Sequence, residues 1–365
     1  MVSLTRRTMG VLAERAKLLL EQSGGQLIKA SPKPKIGVLL TNTGTPSGYS
    51  YWPMRRYLSQ FLRDRRIIEA PALIWYPILY FFILPFRPFK KGKCYKAIWN
   101  TEKDESPLRT ISRNQAKLLQ DVLSAQGQSD VVVSWAFRYG EPSIEEGIAE
   151  LQKAGCDRLV LFPLYPQYSA TTTASMCDAA FHALLKQRHQ MALRTVPAYY
   201  RNSVFIETIA KTIEDGLQKS GDVDVIVITY HGIPLKYQDK GDPYGYQCHE
   251  TTELLKERLA KGGITSADVV TSFQSRLGHL EWLKPYTEDL TVELARSGVK
   301  KMAMVAPGFS SDCLETLEEL EMDVKEQFLE NGGEHFTYIR CLDDSPEGIN
   351  VLANVVSKQL VNFEC

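Results

Sequence analysis

Eight short runs of β-branched and aliphatic residues, separated by stretches with helical periodicity, limit the folds open to this chain more than any other feature. They are KIGVLLTN (35–42), DVVVSWAF (130–137), DRLVLFPLYP (157–166), ALRTVPAYY (192–200), DVDVIVITY (222–230), DVVTSFQS (268–275), KKMAMVAPGF (300–309) and FTYIRCL (336–342). Nearly continuous apolar runs are what a strand covered on both faces requires, and strand–helix alternation leads to parallel pairing. The intervening SIEEGIAELQKAG (143–155) and TEDLTVELARSG (287–298) begin on capping-type residues, place apolar side chains at i, i+3 and i+4, and end on glycine. Four runs precede Asn202 and four follow it, so an α/β fold of two similar lobes is expected, each a doubly wound parallel sheet, with the active-site cleft between them.

The expected segments are an N-terminal helical extension and linker (1–34), a first α/β lobe (35–201) with an apolar lip over 71–93, a second lobe (202–345), and a C-terminal helix (346–365) that packs back on the first lobe. Lys+Arg and Asp+Glu both number 43, so no global field draws the chain to nucleic acid, and nucleic acid is not an expected partner. The seven cysteines are odd in number and contain no CxxC pair, which argues against a disulfide framework and for a reducing, cytoplasmic setting. Residues 1–25 lack the apolar core of a secretory signal.

The lip, PALIWYPILYFFILPFRPF (71–89), is followed by Lys90, Lys91 and Lys93. Its prolines at 71, 77, 85 and 88 interrupt it well short of the roughly 20 apolar residues that a membrane-spanning helix needs. Trp75, Tyr76, Phe81 and Phe82 suit a surface that lines a large apolar ligand or rests on a bilayer, giving a cytoplasmic protein with peripheral membrane contact; a buried core helix is the other reading.

Ligands of parallel sheets bind beyond the carboxyl ends of strands, where four loops stand out: Thr41 to Pro46, Pro163 to Ser169, Tyr230 to Pro234 and Pro307 to Asp312. Turn formation accounts for their glycines and prolines but not for His231, which ends an apolar run. That histidine is open between a hydrogen-bonded structural residue and a metal ligand or proton acceptor, and the functional roles ask for carboxylates nearby. SSDCLETLEELEMD (310–323) offers them: Ser310 or Ser311 is the expected helix cap, and Asp312, Glu315, Glu319 and Asp323 fall in a row. Like charges so spaced repel unless lysines are interleaved, and none is, so the row suggests a route for cations or protons; a helix with acidic residues in its first turn is the plainer alternative. The chain has no GxGxxG, P-loop, GxSxG or HExxH motif, which removes support for dehydrogenase, nucleotide hydrolase, serine hydrolase and zinc protease chemistry.

LLTNTGTP, SPLRTISRNQ, AFRYGEPSIEE, FPLYPQYSATTTAS, ITYHGIP, GDPYGYQCHET, SFQSRLGHLEWLKPYTEDL and VAPGFSSDCLETLEELE, in this order, resemble the ferrochelatases, which insert ferrous iron into porphyrin. The wording of YHGIP and SFQSRLG is similar to the Gram-negative branch that uses protoporphyrin IX. The resemblance implies two flavodoxin-like lobes of the class II chelatase type and a lyase-class enzyme that makes protohaem, the terminal step of haem biosynthesis. By resemblance His231 and Glu315 are the catalytic and metal-binding pair, and Asp312, Glu319 and Asp323 a metal or proton path on a helix with a π-type widening. Arg87, Tyr95, Ser106, Arg138, Tyr165, Trp282 and Phe309 become porphyrin-binding candidates, together with the hydroxyl-rich loop from Ser169 to Thr173. Porphyrin and Fe²⁺ are the implied partners, with Fe²⁺ as substrate, no organic cofactor, and a monomer or homodimer as the assembly. Cluster-bearing animal members have a cysteine where Ala170 stands, so an iron–sulfur cluster is not expected, and Cys313 replaces a histidine common beside the essential carboxylate. A coproporphyrin or cobalt chelatase, or a non-enzymatic porphyrin or haem carrier, are the rival readings.

Overall fold

The computed structural model describes residues 34–276, 278 and 280–363, with 14, 15 and 17; the N-terminal extension and linker expected over 1–34 lies almost wholly outside the described residues. From Lys35 onward the chain forms one compact unit. Its described residues contain eight strands: β1 (Lys35–Gly44), β2 (Val131–Tyr139), β3 (Cys156–Pro163), β4 (Ala192–Thr195), β5 (Val225–His231), β6 (Asp268–Gln274), β7 (Lys301–Val305) and β8 (His335–Ile339). They make two four-stranded parallel sheets of the same order, β2-β1-β3-β4 and β6-β5-β7-β8. All eight apolar runs become strands. The run 192–200 keeps only four residues as strand: the Val196 amide still donates to the Leu161 carbonyl, and Pro197, which has no amide hydrogen, follows it.

Alternation along each strand separates two faces. Leu39, Leu159 and Leu161 point to one side of the first sheet, where Ile144, Ile148 and Leu151 of the Ile144–Lys153 helix cover them. Val38, Leu40, Val160 and Phe162 point to the other side, and there their cluster is continuous with Ile226, Ile228, Ala303 and Val305 of the second sheet. The Pro346–Leu360 helix supplies Ile349, Leu352, Val355 and Val356 to this shared core, packing against both the Pro107–Ala125 and Ser203–Ser220 helices. The Ile144–Lys153 helix starts at a capping box in which Ser143 and Glu146 satisfy each other's backbone amides.

In both sheets the strand order reverses beside the first strand, between β1 and β3 and between β5 and β7. The four loops singled out by sequence are the ones that leave these four strands, so they converge on the switch points where such sheets bind ligands.

The lip folds as a helix (Ala72–Ile78), a π turn (Leu79–Ile83) and a second helix (Arg87–Ile98) after a bend of 65°. Leu79 and Leu84 anchor it in a local core, and the Trp75 indole donates to the Leu62 carbonyl at 2.7 Å. The opposite side is bare: Leu73 is 89% exposed, Phe81 73% and Phe82 70%, with Ile74, Phe86 and Phe89 also exposed. This disagrees with the buried-helix reading. Among the described residues no single helix is long and apolar enough to cross a membrane, although the bent pair taken together has the length and composition.

Candidate active site

His231 is the last residue of β5, and Glu315 lies in the first turn of a four-residue helix, Leu314–Leu317, that follows β7. Because β5 pairs with β7, the two residues leave the same edge of the sheet on neighbouring connections. His231 Nδ1 lies 2.6 Å from the Gly232 carbonyl oxygen. A carbonyl only accepts, so Nδ1 carries the hydrogen, and in the neutral ring Nε2 is the nitrogen that holds the lone pair. The Trp282 ring is 6.4 Å from the imidazole.

A residue absent from the sequence reading joins the two walls. Gln274 ends β6 directly opposite His231 in the strand register, and its buried side-chain amide donates through Nε2 to the Glu315 carbonyl at 2.8 Å. Its Oε1 has no hydrogen-bond partner among the described residues. The signal was present in SFQSR, where two amide or hydroxyl side chains end an apolar strand, but a strand-end glutamine has no fixed chemical meaning until its neighbour is known.

Glu315 shares a small cavity with Gly44, Thr45, Tyr95, Ser106 and Cys313. Two of the porphyrin candidates, Tyr95 and Ser106, therefore line the same cavity as Glu315. Burial, reinforced by the negative field of Glu315, raises the Tyr95 phenol far above its ordinary value, so it stays protonated. Ser106 also caps the Pro107–Ala125 helix, accepting from the Arg109 amide at 3.3 Å. Tyr165 binds Asn42 Oδ1 at 2.7 Å and accepts from the Thr43 amide at 3.1 Å, fixing the β1 loop to the β3 loop. Phe309 packs with Leu108, Phe137 and Cys313, and Trp282 covers the spot where a side chain on Gly232 would project. Arg138 is differently placed: Nε donates to Ser175 Oγ at 2.7 Å and Nη2 to Asp64 Oδ2 at 2.6 Å. With those donors engaged, the side chain ties β2 to the Ser175–Leu184 helix.

The acidic row is rearranged. Neither Ser310 nor Ser311 caps the helix; Cys313 is the N-cap, and Asp312 lies before the first turn. Asp312 is 2% exposed, accepts from Tyr338 OH at 2.8 Å and Thr316 Oγ1 at 2.9 Å, and pairs with Arg340 at 3.3 Å. Tyr338 and Arg340 tie it to the end of β8, and Arg340 also pairs with Glu321 at 3.0 Å. A π turn over Glu319–Val324, marked by the Asp323 amide donating to the Glu318 carbonyl at 3.0 Å, adds one residue to the winding. Glu319 accepts from Ser275 Oγ and pairs with Lys91 Nζ at 3.3 Å. Burial raises Glu318 and Asp323 above the ordinary carboxyl range, and the neighbouring Glu319 adds to it for both. Arg87 is likewise buried enough to be lowered, an effect the Glu319 charge opposes. Among the described residues no group of three or more His, Cys, Asp or Glu side chains is set to enclose a metal ion.

Asp343 was also unforeseen. Its Oδ1 accepts from the Asp312 amide at 2.6 Å, and burial, then the Asp312 charge, push its carboxyl up to about 8. Against an unfolded value of about 3.9, the folded state holds an extra proton in that window, so stability falls as pH rises from about 4 to 8. Asp343→Asn is expected to flatten this dependence, with the midpoint of urea unfolding at pH 8 rising relative to pH 5; an undiminished fall in the variant would remove Asp343 as its source.

A sequence profile of the family described as Ferrochelatase matches residues 35–360. Proteins called ferrochelatase from Brucella ovis, Brucella suis and Brucella abortus are 50% identical over 352 residues, 96% of this chain and 99% of each relative. SirB from Bacillus subtilis with Fe³⁺ shares the fold at a TM-score of 0.51 and 15% identity, over 90% of this chain and 96% of that one. With a family match over most of its length and half its residues shared with the Brucella proteins, the chain belongs to the ferrochelatase family.

Proposed function

We propose that this protein is a lyase-class enzyme that inserts Fe²⁺ into protoporphyrin IX to give protohaem. The observation that supports the reading is the Gln274 bridge, which links the strand beside His231 to the Glu315 carbonyl. Insertion must strip water from the metal, remove two pyrrole protons and admit the ion to a planar ring. The free Nε2 of His231 can accept a pyrrole proton or hold iron, and Glu315 can carry the cation through oxygen while it loses water. Two protein donors leave the remaining coordination positions to the porphyrin nitrogens. Charge balances: Fe²⁺ replaces two protons, which pass to His231 and then to carboxylates that burial has already made more basic, Glu318 and Asp323. Tyr95, Ser106, Tyr165, Trp282 and Phe309 would line the porphyrin pocket, with Arg87 toward a propionate, while Arg138 would shape the wall through Ser175.

His231→Ala and Glu315→Ala are each expected to lower the insertion rate by at least about a hundredfold, with porphyrin affinity changed less than about threefold. The assay supplies Fe²⁺ anaerobically with protoporphyrin IX, coproporphyrin III or a cobalt-accepting corrin precursor. Faster turnover of either competitor would overturn the substrate assignment. Near-wild-type rates in either variant would overturn the mechanism, and porphyrin binding with no insertion by the wild-type protein would mark a carrier.

The bare apolar side of the lip, beside Lys90 and Lys93, suits a peripheral contact with a bilayer. Vesicles containing phosphatidylglycerol are expected to co-sediment the protein, and a Phe81→Ser, Phe82→Ser double variant to lose most of that binding. Equal sedimentation of the two forms would place the contact elsewhere.

A further inference from the structure

The acidic row of the Glu319–Val324 π turn has no lysine interleaved in its own sequence, yet a lysine reaches it from 228 residues away. Lys91, on the Arg87–Ile98 helix of the lip, places Nζ 3.3 Å from Glu319 Oε1, while Ser275 Oγ donates to Oε2. Both members of the ion pair are 25% exposed, so water and salt screen them only in part. The ammonium also lies in the fields of Glu318 and Glu315. Burial by itself would lower Lys91, but these carboxylates outweigh it and hold the group above the ordinary lysine value, so the charge is permanent at neutral pH. Lys91 in turn opposes the burial-driven rise of Glu318 and Asp323. One ammonium thus lies within the field of Glu315, Glu318, Glu319 and Asp323.

We propose that Lys91 is a built-in competitor of the metal ion: its ammonium holds Glu319 in the resting protein, must release that carboxylate before a divalent cation passes toward Glu315, and so sets the apparent affinity for metal without contacting porphyrin. The inference rests on the iron-insertion reading above. Its physical basis is exchange at one pair of oxygens. A compact ammonium donates to a carboxylate as a point charge and can be displaced by an ion of twice the charge, whereas a fixed guanidinium would be harder to dislodge. The ion pair that has to be broken subtracts from metal binding, and its like charge repels the incoming ion. Lys91 belongs to the helix that continues the lip, so any displacement of that helix also changes how firmly Glu319 is held.

Lys91→Met and Lys91→Gln, each in the full chain, test this by initial rates in which Fe²⁺ and protoporphyrin IX are varied separately under anaerobic reducing conditions. Removal of a partly exposed pair is expected to lower the metal KM about three- to fivefold in both variants, with porphyrin KM and kcat within about twofold of wild type. Lys91→Arg, which keeps the charge, is expected to show no such fall. The metal KM of Lys91→Met should also rise more steeply with salt between about 50 and 200 mM, because its row attracts the cation with one more uncompensated charge. An unchanged metal KM in both neutral variants, an equal fall in Lys91→Arg, or a porphyrin KM that moves as far as the metal KM would each overturn the assignment. No insertion by the wild-type protein would instead defeat the iron-insertion reading; insertion by wild type with unaltered variants defeats Lys91 alone.

Discussion

The hydrogen bond from Gln274 to the Glu315 carbonyl is the joint on which the candidate site depends. Parallel pairing fixes Gln274 beside His231, and a buried amide with one good acceptor cannot swing away without leaving that acceptor unpaired, at a cost of about 1–3 kcal/mol. Glu315 needs such a support. Its helix is a single turn long, begins at a cysteine cap and opens at once into a π turn, so little intrahelical bonding fixes its direction. Thr316 adds a second tie, since its hydroxyl accepts from the Cys313 amide at 2.9 Å and donates to Asp312. The carboxylate that sequence placed in an acidic path thus serves as the buried anchor of the loop carrying Glu315.

A comparable logic holds the first lobe's wall. Asp64 collects Arg138, Tyr139 and Ser175, joining the end of the Tyr51–Leu62 helix, β2 and the Ser175–Leu184 helix behind the Ala170–Ala174 π turn. Hydrogen bonds to the charged form outweigh burial there and hold Asp64 below its usual carboxyl value, so the anchor remains ionised at neutral pH. Asp242, which follows β5, accepts from Ser169 Oγ at 3.0 Å and from the Ala170 amide at 2.7 Å, so the hydroxyl-rich loop after β3 is tied to the second half of the chain. Three π turns occur among the described elements, in the lip, after β3 and after Glu315; each adds a residue within a helical stretch and so redirects the side chains that follow.

Much of the architecture was legible because it follows from period and burial. Strands covered on both faces have to read as apolar runs, and the loops after β1, β3, β5 and β7 had to converge once the sheets were parallel. His231 was visible for the same reason, as a polar ending on an apolar strand. What stayed hidden depends on pairings between distant segments. Asp312 looked like the first member of a row because a regular 3.6-residue period was assumed, whereas the chain is not yet helical there and Arg340 and Tyr338 draw it toward β8. Arg138 read as a porphyrin-pocket residue, since nothing in its own segment announces Asp64. Lys91 stood in a basic cluster next to the lip, and only the fold brings it to Glu319. Gln274 lies in SFQSR without announcing its partner, and Asp343 carries no motif at all.

The central proposal is that the His231 imidazole and the Glu315 carboxylate together form the site that takes up the divalent metal. Anomalous diffraction at the cobalt edge, from crystals of the full chain soaked in Co²⁺ without porphyrin, tests it most directly. The account predicts a peak between His231 Nε2 and the Glu315 oxygens. A peak confined to the exposed acidic groove of Glu288, Asp289 and Glu293, with none between His231 and Glu315, would contradict it.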